Sequence, residues 1–269
     1  MSSDTQVIIA ENLVRKFGDL TAVDGISFSI RQSEIFAFLG PNGAGKTTTI
    51  RMLITLLSPS AGRAIVGGYD IVHKPAEVRR IIGYVPQMLS VDGTLTAKEN
   101  LMLMAQLYDV PAKERKARVS GTLEFLKLTD YADSLVRTFS GGMIRKLEVG
   151  LAMIHHPKVL FLDEPTTGLD PIAKQNVWQH LRQLRDQFGT TIFFSTHNMD
   201  EAAEVSDNVA IMNKGKIAAI GSVAELTART GAPDATLEDS FLYFTGNSIA
   251  ETGSFREIRR TRQTERRLG

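Results

Sequence analysis

The chain has 269 residues and 43% hydrophobic content, enough for a sizeable core and too apolar for a disordered segment. Its 31 Lys and Arg nearly balance 30 Asp and Glu, leaving a formal charge of +1, so no global field points to nucleic acid or an anionic membrane surface. The absence of cysteine excludes a disulfide framework and a thiolate metal site, and fits a reducing compartment.

Met1 to Gln6 is polar, without a basic segment followed by an apolar one, so no secretory signal is expected. Val7 to Leu13 and Gly25 to Ile30 alternate as half-buried strands, whereas Ile35 to Leu39 is continuously apolar, the pattern of a central strand covered on both faces. A glycine-rich turn follows, then a helix beginning near Lys46. Between Pro86 and Pro157 the strand signal fades. Thr96 and Glu99 form a capping box for a helix to about Tyr108, and Pro111 opens a second, charged amphipathic helix. Strands return at Val159 to Leu162, Thr191 to Ser195 and Val209 to Met212. The whole reads as an α/β fold with an inserted helical lobe. No apolar run approaches the roughly 18 residues that cross a bilayer, so a soluble chain is expected. From about Thr230 the sequence turns polar, and Phe255 to Gly269 reads as a solvated basic terminus.

Gly40-Pro41-Asn42-Gly43-Ala44-Gly45-Lys46-Thr47 fits G-x-x-x-x-G-K-[ST], set between an apolar strand and a helix. Glycines let backbone N–H groups turn inward around an anion, the helix N-terminus adds positive potential, Lys46 reaches outer phosphates and the Thr47 hydroxyl can ligate Mg²⁺; Thr48 completes the cradle. A guanine-specific N-K-x-D is missing, since Asn213-Lys214-Gly215-Lys216 lacks the Asp. Further on, Val159 to Leu162 ends in Asp163-Glu164, where Asp163 can hold Mg²⁺ and Glu164 can orient an attacking water.

Ser140-Gly141-Gly142-Met143 is similar to the LSGGQ signature of ATP-binding-cassette proteins, and it stands in order with the phosphate cradle, Gln87, Asp163-Glu164, Asp170 and His197. Over about residues 6–225 the chain resembles the nucleotide-binding subunit of an ABC transporter. The stretches Gly40 to Leu53 and Phe139 to Pro171, with Asn198 to Ala202, look most like separate ATPase subunits of drug-type exporters, the daunorubicin-resistance branch. Phe139 and Met143 depart from the signature's Leu and Gln.

The resemblance implies a P-loop NTPase core with a mixed or parallel sheet, an antiparallel β subdomain and an inserted helical subdomain at 87–156, all within 1–229, followed by an extension at 230–269. It implies a head-to-tail pair of cassettes, a homodimer sufficing, with ATP and Mg²⁺ between the cradle of one and Ser140, Gly141 and Gly142 of the other. Gln87 would couple Mg²⁺ to the helical lobe, Asp170 would order the interface, His197 would contact the γ-phosphate, and Phe17 would stack on adenine. It further implies a separate polytopic membrane subunit, placement on the cytoplasmic face of the membrane, and no nucleic-acid partner. The competing readings are a soluble cassette ATPase acting on DNA or ribosomes, disfavoured by a single cradle and no heptad run, and a regulatory module that binds without hydrolysing, disfavoured by Glu164, Asp170 and His197.

Overall fold

The computed structural model describes residues 5–246; the basic segment Phe255 to Gly269 lies outside the described residues. The chain runs β1 (Gln6–Phe17), β2 (Leu20–Arg31), β3 (Ile35–Leu39), α1 (Lys46–Leu53), β4 (Ala61–Val66), β5 (Tyr69–Asp70), α2 (Pro75–Ile81) and β6 (Ile82–Val85). The lobe follows as α3 (Ala97–Leu107), α4 (Ala112–Phe125) and α5 (Gly141–Met153). The chain then returns through β7 (Val159–Asp163), α6 (Pro171–Phe188), β8 (Thr191–Thr196), α7 (Met199–Val205), β9 (Asn208–Asn213), β10 (Lys216–Gly221), α8 (Val223–Ala228) and α9 (Leu237–Thr245).

Two sheets form, an antiparallel one in the order β2-β1-β4-β5 and a six-stranded one in the order β10-β9-β3-β8-β7-β6. In the second, β9, β3, β8, β7 and β6 run parallel, and β10 is antiparallel at the edge. The fold class therefore matches the expectation, and β3 is interior, between β9 and β8. Every residue of β3, β7 and β8 is buried, because successive side chains enter different cores. Phe36, Phe38, Phe161 and Phe193 face the antiparallel sheet and α1. Ile35, Leu39, Leu160, Leu162 and Phe194 face α5, α6 and α7. The Phe38 and Phe193 rings, 4.7 Å apart, lie at the centre of the first core.

Helix α3 starts at the expected capping box. Thr96 Oγ1 accepts from Glu99 N at 3.1 Å, and Glu99 Oε2 accepts from Thr96 N at 2.8 Å. Pro111 is the N-cap of α4. The lobe has a core of its own around Leu101, Leu123, Leu147 and Phe139, so Phe139 supplies the same apolar packing as a leucine. Four strands escaped the sequence reading: β4, β5, β6 and β10. Helix α9, inside the 230–269 extension, buries Leu237 and Phe241 against the second core and so ties the start of that extension to the body. Among the described residues no helix is long and apolar enough to cross a membrane.

One contact joins the lobe to the core through a titratable ring. Tyr108, at the end of α3, stacks on His155 at 3.7 Å and 5°, while the His155 Nε2 lies 2.9 Å from the Ile82 carbonyl and its Nδ1 is buried without a partner. Burial, opposed by that carbonyl and reinforced by the His156 and Arg118 charges, pulls the imidazole from 6.5 down to about 4. The unfolded chain thus takes up a proton below pH 6.5 that the folded chain refuses until about 4, so stability present above 6.5 drains away as pH falls through this window. His155→Phe keeps the stack and removes the titration. Thermal melts should show a shallower decline between pH 6.5 and 4 for the variant, and parallel declines would refute the assignment.

Candidate functional site

The phosphate cradle lies where β3 ends between two neighbouring strands, the crevice at which parallel sheets bind ligands. Gly45 takes φ 103°, and a Cβ there would meet the Ala22 carbonyl at 2.6 Å; at Gly40 a Cβ would meet the Met212 carbonyl at 2.3 Å. Both positions accept only glycine, one for conformation and one for space. The turn is pinned by Gly40 N donating to Thr196 O at 3.2 Å and Gly215 N donating to Ala44 O at 3.0 Å. Pro41, Asn42 and Gly43 are exposed, whereas Lys46 is 5% exposed. Its Nζ donates to Gly40 O at 2.7 Å and Pro41 O at 3.1 Å. Burial lowers the Lys46 pKa, while the Glu164 and Asp163 carboxylates oppose that shift.

Asp163 ends β7 and Glu164 follows it. The Thr47 hydroxyl donates to Asp163 Oδ1 at 3.1 Å, and the buried Ser195 hydroxyl donates to the same oxygen at 2.5 Å. Glu164 has φ 50°, a left-handed conformation that costs a non-glycine residue on the order of 1 kcal/mol or more. Its N–H is held there by Ser195 O and Ser195 Oγ, both at 3.1 Å. Three expected residues converge on its carboxylate: Lys46 Nζ at 3.8 Å, His197 Nδ1 at 3.2 Å and Gln87 Nε2 at 3.4 Å. Thr167 Oγ1 adds a hydroxyl at 3.1 Å. Thus Lys46, Thr47, Gln87, Asp163, Glu164 and His197 form one cluster.

Ser140, Gly141 and Gly142 stand apart from it. Ser140 is the N-cap of α5, accepting from Met143 N at 3.3 Å. A Cβ on Gly142 would lie 3.0 Å from that of Ala173, and one on Gly141 would lie 3.7 Å from Leu169, so the signature packs beside the loop that follows Glu164. No hydrogen bond or ion pair among the described residues joins it to residues 40–48. Asp170 caps α6, accepting from Ala173 N at 2.9 Å. Phe17 ends β1, 45% exposed, with the Arg15 guanidinium 4.5 Å from its ring centre.

Sequence reasoning missed Ser195, Thr167 and Glu201. Glu201 accepts from Trp178 Nε1 at 2.8 Å, from Thr196 Oγ1 at 2.7 Å and from the Thr166 hydroxyl, fixing the turns on either side of the cluster. A lone hydroxyl or carboxylate near a motif carries no periodicity, so only proximity to His197 or Glu164 could have flagged these residues.

A family model described as ABC transporter matches residues 23–167. The chain is 39% identical over 242 residues to the linearmycin resistance ATP-binding protein LnrL of Bacillus subtilis (strain 168), spanning 90% of this chain and 76% of that protein. It is 40% identical over 228 residues to the daunorubicin/doxorubicin resistance ATP-binding protein DrrA of Streptomyces peucetius, spanning 85% and 69% respectively. Among solved structures, an ATP-binding subunit of an ABC transporter superposes with a TM-score of 0.80 at 27% identity, covering 89% of this chain and 99% of that one. These relatives agree with both the family and the drug-resistance branch that the motifs suggested. The chain belongs to the ABC transporter family, whose ATP-binding domains bind and hydrolyse ATP.

Proposed function

We propose that this ATPase powers export of drug-like or lipophilic compounds through a separate polytopic membrane subunit, acting as a head-to-tail pair of cassettes on the cytoplasmic face of the membrane. The observation that carries the catalytic part is the convergence of Lys46, Gln87 and His197 on Glu164. The relatives named for resistance to linearmycin and to daunorubicin/doxorubicin support the cargo class, and ATP-binding subunits of this family work with membrane partners. A net charge of +1 supports the reading without nucleic acid.

The cradle N–H groups of residues 40–48 and the Lys46 ammonium bind the outer phosphates, and Phe17 stacks on adenine. Thr47 and Asp163, oxygen donors already 3.1 Å apart, fit Mg²⁺, which takes few protein ligands and keeps phosphate and water oxygens; Gln87 would join them. When bound, the ion neutralises charge on the phosphates. Glu164 orients the attacking water and accepts its proton as the water oxygen bonds to the γ-phosphorus and the bond to the ADP oxygen breaks. His197 holds Glu164 and contacts the γ-phosphate, while Ser140, Gly141 and Gly142 of the second cassette close over it with a helix N-terminus. Asp170 orders the interface between cassettes. The lobe surface beside Gln87, where Met88 and Leu89 are 83% and 56% exposed, passes the closing motion to a cytoplasmic helix of the membrane subunit.

Affinity purification of the Glu164→Gln variant from native membranes with Mg·ATP tests the partnership. A polytopic membrane protein is the expected companion. Recovery of ribosomes or DNA instead would transfer the chain to the soluble cassette ATPases.

A further inference from the structure

Helix α5 carries the signature at its N-cap and, one turn later, a buried ion pair. Arg145 and Glu148 are 3% and 2% exposed, with Arg145 Nη1 2.9 Å from Glu148 Oε2. Both side chains also reach the loop that leaves β6. Arg145 donates to Pro86 O at 2.9 Å and to Gln87 O at 3.2 Å, while Glu148 Oε1 accepts from Ser90 N at 2.7 Å and from Ser90 Oγ at 3.2 Å. The loop is therefore fastened to α5 at three backbone groups within five residues, and the Gln87 side chain projects from it to Glu164 Oε2 at 3.4 Å.

Satisfying the pair itself does not account for this arrangement. Arg145 Nε is buried with no partner, and buried ion pairs are commonly replaceable by apolar residues without loss of stability. What an apolar pair could not supply is the grip on Pro86, Gln87 and Ser90. A shift of α5 would drag the backbone of Gln87 and with it the contact to Glu164.

We propose that Arg145 and Glu148 are positioning residues that tie the signature helix to Gln87, so that capture of a second cassette's nucleotide by Ser140 to Gly142 sets the Glu164 carboxylate of the same chain. The inference rests on the roles given above to Glu164 and the signature. It makes the two sites of a cassette pair mechanically coupled through the signature helix and the loop that carries Gln87.

The test is the full chain carrying Arg145→Met together with Glu148→Leu, which removes the tether without stranding a buried charge. Melting temperature and affinity for a fluorescent ATP analogue should stay at wild-type values. ATP turnover should fall roughly tenfold in kcat with little change in KM, and its dependence on ATP should lose cooperativity. A purely structural pair would lower melting temperature and leave kcat intact. Should the double variant melt early, Ser90→Pro removes the N–H donor at an exposed loop position and must reproduce the loss of kcat. Wild-type kcat in the stably folded double variant, or in Ser90→Pro, overturns the proposal. Glu164→Gln assayed beside them separates the two readings: if it alone abolishes turnover, the tether fails while the catalytic assignment stands, and if it turns over normally, the catalytic assignment fails first.

Discussion

Glu164→Gln should lower ATP turnover by roughly 10²-fold to 10⁴-fold, the usual worth of a general base, and leave nucleotide affinity essentially unchanged. The amide matches the carboxylate in size and can keep contacts to Gln87 and Thr167, at 3.4 and 3.1 Å in the native chain. It cannot accept the proton of the attacking water. The strained backbone at φ 50° is the same for both side chains and is held by Ser195 rather than by the carboxylate, so the fold should not respond. Steady-state hydrolysis and equilibrium ATP binding, measured on the same preparation, decide the matter. Unchanged turnover would remove Glu164 from the chemistry and revive the reading of a module that binds without needing this base.

Lys46→Ala acts on the other half of the reaction. A hydrogen bond to a charged group contributes about 1.5–3 kcal/mol, so losing this cation should weaken ATP binding by roughly tenfold to a hundredfold. The surroundings sharpen the effect. Lys46 is buried at 5% exposure between the Gly40 and Pro41 carbonyls and the Glu164 carboxylate. Without its ammonium, Asp163 and Glu164 would face the phosphates uncompensated. Calorimetric titration with ATP measures this directly, and wild-type affinity would contradict the description of the cradle.

The motifs were legible because each is set by adjacent residues. A glycine turn before Lys46, acids at the end of an apolar strand, and Thr96 three residues before Glu99 are all local patterns whose physics needs no partner elsewhere. The buried strands β3, β7 and β8 were legible for a related reason: a strand covered on both faces must be apolar at every position. The sparsely buried strands β4 and β10 escaped. In β4 only Ala64 and Val66 are buried, and β10 buries only Ala219, so composition barely distinguishes them from loops, and β4 pairs with β1, a partner distant in sequence.

By itself, then, the sequence determined the nucleotide-binding chemistry, the family and the inserted helical lobe, because these rest on residue types at fixed short spacings. Only the tertiary structure decided that Gln87 reaches Glu164 across 77 positions, that Ser195 holds both acids, and that Arg145 and Glu148 grip the loop carrying Gln87. Those contacts depend on how the lobe docks against the parallel sheet, and docking is settled by the summed packing of three separate cores, a quantity that no short stretch of residues contains.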